Sequence, residues 1–204
     1  MNEDSKAGLL LHEAVYNELI LGGATQPTQA RMVNAFVSST RMAAPAISDF
    51  VNLLFRAGFK DFEYKGVTIS FYSPSGDLTR PLFYPKGSIL KAFMKLPSTY
   101  STAAAQTLTT GGCILFHESG GPRMIPNVNF RLRGEPVFFE KVELDRDGYI
   151  TAGLIDSRST FTYRQGPKLT LERGFKVNID RDGYMTSYEL APSSIYGNVC
   201  EWTK

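Results

Sequence analysis

Histidine and cysteine are scarce: the 204 residues hold two of each, His12 and His117, Cys113 and Cys200. Two histidines exclude a three-histidine metal centre. Two cysteines are too few for a disulfide framework, and one bridge or two unrelated thiols are equal alternatives. A dominant charge is missing as well. The formal net charge is +2, with no run of Lys or Arg longer than two. This lacks the basic footprint of a nucleic-acid binder, so no nucleic-acid partner is expected. No stretch of eighteen apolar residues exists, so no transmembrane helix is expected. Residues 1–6 are polar and include two acids, and His12 and Glu13 interrupt the apolar stretch behind them. That makes a poor signal peptide, and the residues leave the compartment open.

Aromatic residues are plentiful, with 14 Phe and 10 Tyr. They favour strands and tilt the expectation towards β structure in a soluble chain. The length suits one large domain or two small ones.

Three amphipathic helices are expected first. Leu9, Leu10, Val15, Tyr16, Leu19 and Ile20 fall at helical spacing over residues 6–21, with Gly22 and Gly23 as the stop. Met32, Val33, Phe36 and Val37 form a stripe over 28–42. A third helix opens after Ala44 with Pro45 in its first turn, buries Ile47, Phe50, Val51, Leu54 and Phe55, and ends at Gly58.

From Phe62 onward the period changes to two. Residues 63–64 and 67–72 read as strands, 73–76 as a turn, and 78–84 as a return strand with Pro81 at an edge or bulge. Residues 88–96 read as another strand. Residues 97–112 are small and polar, and read as a loop or as a short helix over 103–107.

The strongest pattern is an internal repeat. Val142 to Thr151 returns as Val177 to Thr186, and Asp145-Arg146-Asp147-Gly148-Tyr149 reappears as Asp180-Arg181-Asp182-Gly183-Tyr184. Fainter copies cover 114–121 and 69–76. Asp at the first and third positions and Gly at the fourth fit a type I turn with a left-handed glycine, which closes a three-residue hairpin loop. That register sets Leu144 opposite Ile150 and Ile179 opposite Met185 on one apolar face.

Four constellations carry candidate chemistry. His12-Glu13 begins a zinc-protease motif, but Tyr16 stands where the second histidine is required. The simpler account is a histidine hydrogen-bonded between helices. Counting Gly183 as sixth in a calcium loop puts Asn178, Asp180, Asp182, Tyr184 and Glu189 at ligand positions. In the other copy Glu143, Asp145 and Asp147 match, but Leu154 takes the bidentate position. The flanks alternate like strands, so hairpin-turn chemistry explains the same acids. Cys113 and His117 fall on one face of a strand, roughly 13 Å apart, too far for proton transfer. Finally Arg146, Tyr149, Arg181 and Tyr184 form a recognition ladder if the repeats expose them, or ordinary cross-strand pairs otherwise.

Residues Leu11-His12-Glu13 with Tyr16, Ala30-Arg31 through Phe36, and the hairpins at 145–151 and 180–186 resemble those of uncharacterised exported bacterial proteins. The hairpins also look like MORN-type arrays. The resemblance implies a binding or scaffold surface and an exported or periplasmic place. The resulting expectation is an α+β chain: a helical segment over 1–60, then a repetitive antiparallel β-hairpin array over 61–204, as two parts or one continuous domain. The expected function is a non-enzymatic binding or envelope-associated module that engages a protein or envelope component and needs no cofactor. Alternatives are a zinc-dependent hydrolase or degenerate relative on His12 and Glu13, and a calcium-stabilised module on Asp145, Asp147, Asp180, Asp182 and Glu189.

Overall fold

Period-two alternation dictates strands that bury every second side chain, and the chain spends most of its length on them. The computed structural model describes Glu13, Tyr16, Asn17, residues 27–37 and residues 46–191. Helix α1 spans Pro27–Val37 and α2 spans Ile47–Arg56. Twelve strands follow: β1 Asp61–Tyr64, β2 Val67–Ser70, β3 Leu82–Phe83, β4 Ile89–Ser101, β5 Thr107–Phe116, β6 Pro122–Leu132, β7 Glu135–Leu144, β8 Ile150–Ile155, β9 Ser159–Thr162, β10 Lys168–Leu171, β11 Phe175–Ile179 and β12 Met185–Leu190. All named pairs are antiparallel. One sheet runs β1-β2-β4-β5-β6-β7-β8-β11-β12, with β3 also on β4, and β9 and β10 pair apart from it.

The expected helices divide. Glu13, Tyr16 and Asn17 are helical, while His12 and the rest of the first segment lie outside the described residues. Tyr16 packs with Ala30, Val33 and Ala57. Helix α2 starts at Ile47 behind an Ala46 N-cap, so Pro45 is not in its first turn. Asp49 and Arg56 sit at the ends where the helix dipole favours them. Gly58, at φ +84°, closes the helix with the paired bonds Gly58 N–H to Phe55 O and Phe59 N–H to Leu54 O. Val51 and Leu54 enter the same core as the sheet.

Two strand expectations are corrected. Of residues 97–112 only 102–106 form a loop, and none is helical: β4 runs on to Ser101, and β5 begins at Thr107. The β-branched threonines suit a strand, and Leu108 and Thr110 alternate inward. Pro97 is accommodated because the β4–β5 register shifts between Met94 and Ser98. Residues 78–84, by contrast, hold only a bridge at Leu78 and the two-residue β3, because Pro81 removes a ladder donor between them.

Two turn types set the sheet. Lys65-Gly66 and Arg133-Gly134 have positive φ at both positions, the two-residue turn whose twist matches its strands. The second type is a five-residue loop. Its first N–H bonds the fifth carbonyl, and its fourth N–H bonds the first carbonyl. It occurs at 73–77, 84–88, 102–106, 117–121, 145–149 and 180–184, always with the fourth residue at positive φ. Leu144 faces Ile150 and Ile179 faces Met185, the register read from the repeat. Beyond the loops at 84–88, 117–121, 145–149 and 180–184 the ladder shifts by one residue, so Leu90, Arg123, Thr151 and Thr186 are unpaired bulge positions.

The sheet coils on itself. Strands of ten residues, such as β5 and β7, would hold the rims of a flat sheet roughly 30 Å apart. Instead, loops from opposite rims touch. Tyr64 Oη lies 2.9 Å from where Gly120 would carry a Cβ. Ala103 N–H donates to Gly148 O at 3.1 Å. Arg133 Nη2 donates to Tyr184 Oη at 2.6 Å. Each partner loop lies three connections further along the sheet. The coil encloses Ile69, Phe71, Ile89, Met94, Ile114, Phe116, Ile125, Phe139 and Ile155, all essentially inaccessible. Burying each is worth about 1.5–3 kcal/mol. The β9–β10 hairpin lies on β7: Phe161 packs on Phe139 with tilted rings 5.9 Å apart, and Phe138 N–H of β7 donates to Ser159 Oγ.

Phe139 also fixes a glycine. Its ring atoms stand 2.5 Å from where Gly153 on β8 would carry a Cβ. Gly153→Ala forces this ring out of a full core and is expected to cost about 1–3 kcal/mol. Urea unfolding measures it, and an unchanged midpoint would show that the ring has room to move.

Candidate functional site

The connections of a meander alternate between rims, so the loops at 84–88, 117–121, 145–149 and 180–184 line one rim in chain order. Their backbones are alike, and what differs is the side chains each presents.

In loop 145–149, Asp145 Oδ1 accepts the N–H groups of Asp147 and Tyr149, both at 3.0 Å. Its Oδ2 accepts Arg181 Nη2 at 2.8 Å, and the same Nη2 reaches Asp147 Oδ2 at 2.6 Å. The Arg181 guanidinium also lies 4.6 Å over the Tyr149 ring. Loop 180–184 repeats this with a different cation. Asp180 Oδ1 accepts the N–H groups of Asp182 and Tyr184. Arg164, from the β9–β10 connection, donates to both Asp180 and Asp182. Arg133 and Arg164 lie over the Tyr184 ring at 4.2 and 5.2 Å.

Burial pushes the Asp145 carboxyl up, but the Tyr149 N–H, Arg181 and the Asp147 N–H together outweigh it and hold the pKa below the usual value. Asp180 is lowered against the same burial cost by the Tyr184 N–H, Arg164 and the Asp182 N–H. The Arg164 and Arg181 pKa values rise, first through their hydrogen bonds to Asp180 and Asp147 respectively.

Next along the rim is a groove of about 560 Å³ lined by Tyr84, Lys86, Ser88, His117, Glu118, Ser119, Arg123 and Arg146. Tyr84 Oη donates to Phe116 O at 2.8 Å, and His117 Nε2 bonds Leu144 O at 2.9 Å. These two bonds brace the walls. Lys86 Nζ meets Glu118 Oε1 at 3.5 Å, both exposed. Arg123 and Arg146 have no ion-pair partner among the described residues, and the buried Ser88 hydroxyl has no hydrogen-bond partner there. Three cations thus face one carboxylate. The chemistry is that of an anion receptor, with guanidinium forks suited to carboxylate or phosphate.

The structure sorts the residues picked from the sequence. Tyr149 and Tyr184 are half-buried under arginines rather than exposed, and Arg181 is tied to the neighbouring loop. Arg146 alone of the four opens into the groove. The acids proposed for calcium converge on Arg181 and Arg164. Glu189 faces Lys176 on β11, four residues and roughly 13 Å from Asp180 along the strand. Among the described residues no three His, Cys, Asp or Glu side chains group as a metal centre. Glu13 is exposed, while His12 and Cys200 lie outside the described residues. Cys113 is fully buried on β5, away from the rim. Sequence reasoning missed Arg164, Lys86, Arg123 and Ser88. Tyr84-Pro85-Lys86-Gly87-Ser88 carried a legible Pro-x-Gly signal, whereas Arg164 reaches Asp180 only through the fold.

Among the described residues no helix is long and apolar enough to cross a membrane. Comparison with protein-family models, with curated proteins and with solved structures yields no match. The site is therefore argued from its own chemistry.

Two outcomes follow from the loop carboxylates. Lowered carboxyls add stability that is full above the unfolded value, about 3.9, and is lost as pH falls through the lower folded values. Asp145→Asn with Asp180→Asn is expected to reduce stability at pH 7 and to flatten its decline below about pH 4. Urea midpoints at pH 7 and pH 3 test this, and parallel curves for variant and parent would refute it. Millimolar calcium is expected to leave the melting temperature unchanged, because Arg181 and Arg164 already occupy these oxygens. A calcium-dependent rise would make the acids ligands.

Proposed function

We propose that this chain is a non-enzymatic binding module whose contact surface is the loop rim at 84–88, 117–121, 145–149 and 180–184, and whose partner is a protein or envelope component. The observation that carries this is Arg146, held with Arg123 in a groove where neither guanidinium has an ion-pair partner among the described residues and the one carboxylate, Glu118, pairs with Lys86. Loops on one rim are two strands apart, or about 10 Å, a spacing that suits an extended or loop-bearing partner. Ion pairs and ring contacts brace the loops, so little ordering cost falls on binding. The resemblance of the two hairpin sequences to MORN-type repeats favours the same reading.

Site-specific photo-crosslinking in cells tests it. A crosslinker at Lys86 or Ser119 is expected to give a discrete adduct, and one at exposed Ser157 on the opposite rim to give none. Arg123→Glu with Arg146→Glu should abolish the adduct at an unchanged melting temperature. Equal labelling from both rims, or none from the loop rim, would sink the reading.

A further inference from the structure

The rim loops obey a positional rule. The second residue of a loop reaches back to the third residue of the loop before it. Arg181 does this with Asp147 at 2.6 Å, and Glu118 does it with Lys86 at 3.5 Å. The step between these two belongs to Arg146. The equivalent positions of the loop before it hold His117, Ser119 and Gly121, where Arg181 has Asp145, Asp147 and Tyr149, and His117 and Ser119 line the groove with Arg146. Both acids and the aromatic ring are replaced, and Arg146 is left without an ion pair among the described residues. Arg123, on the bulge position that threonine fills beyond the next two loops, projects into the same groove. The buried, unpartnered Ser88 hydroxyl supplies a further polar group in the wall.

From this we infer that the groove running from loop 84–88 past loop 117–121 to Arg146 is a carboxylate slot for an acidic segment of a protein partner, carrying two acids separated by one residue. This rests on the rim being a protein-contact surface and names what it contacts. The chemistry is taken from the molecule itself, which twice sets an Asp-x-Asp turn against an arginine, Arg181 of the next rim loop in one case and Arg164 of the β9–β10 connection in the other. In the open slot the partner supplies the pair. Arg146 takes the place of Arg181, and Arg123 and Lys86 add charge. Glu118, the one acid lining the groove, is drawn to Lys86 and opposes entry least on the Arg146 side.

The test uses the full chain and a designed hairpin peptide with Asp-Asn-Asp-Gly-Tyr at its turn, compared with the same peptide bearing Asn in place of both acids and with inorganic phosphate. Titration calorimetry at low salt is expected to show the acidic peptide binding at least about 10-fold more tightly than its Asn counterpart. Arg146→Gln should weaken it by a similar factor, and Arg173→Gln, remote on the opposite rim, should not change it. The decisive variant is Ser119→Asp, which restores the acid that Asp147 provides one loop on. It should close the slot internally, removing peptide binding without lowering the melting temperature. Binding that survives Ser119→Asp, or that ignores the peptide's acids, overturns the inference. So does phosphate binding more tightly than the peptide, which would mark a slot for a free anion. If the peptide fails while rim crosslinks persist, only the slot assignment falls; if the crosslinks are absent too, the binding-module reading falls with it.

Discussion

Each rim loop depends on a single backbone arrangement: a fourth residue in the left-handed region, which lets the fourth N–H turn back to the first carbonyl while the first N–H closes on the fifth. Five of the six loops put glycine there, and the sixth puts Ala105 at φ +56°. The geometry sends the second and third side chains outward at a fixed angle. At 84–88, 117–121, 145–149 and 180–184 it is followed by a one-residue bulge, which adds twist. Repeated beyond four loops, that added twist accompanies a sheet that coils until its rims touch. Local turn chemistry and global shape are one constraint seen at two scales, and agreement of that kind is what lets a sequence specify one fold.

The loops gain definition from charge more than they gain energy. Exposed ion pairs contribute little singly. Here each carboxylate is first oriented by two backbone N–H donors and only then meets its arginine, and each arginine also covers a tyrosine ring. Oriented acceptors, a planar fork and an aromatic floor remove alternatives, so the ladder fixes spacing and direction along the rim. The same bonds keep Asp145 and Asp180 ionised below the usual carboxylate range, so the rim keeps its charge pattern under mild acid.

Much of this was legible in the residues. The Asp-x-Asp-Gly-Tyr repeat dictated the loop, its register and its apolar face, and the change from helical to alternating period near Phe62 located the start of the sheet. In the stretch 97–112 composition and alternation compete, and only 102–106 is a loop: threonine and serine signal loops by polarity, yet β-branched threonine suits a pleated surface when every second position is buried. The ladder partners were out of reach for another reason. Arg181 and Asp147 are 34 residues apart, and Arg164 and Asp182 are 18 apart. Only the pairing of β8 with β11 and the excursion of β9–β10 bring them together, and neither has a periodic signature. The bulge that aims Arg123 is likewise a property of paired strands.

The two ends of the ladder are treated differently, and solvation explains why. At the acidic end, Asp180 and Asp182 have no further rim loop beside them among the described residues, and the chain brings Arg164 from the β9–β10 hairpin to neutralise them. Two carboxylates a residue apart repel, and partial burial at Asp180 adds a desolvation cost, so that end is costly to leave open. At the basic end the calculation reverses. A single exposed guanidinium is well solvated and always charged, so Arg146 can stand without an internal partner at small cost to folding. An interface gains most from a group that costs little when free and offers a preorganised fork when a counter-charge arrives. The ladder is closed where leaving it open would destabilise the fold and open where openness is tolerated, and the open end is the side of Arg146 that faces the groove.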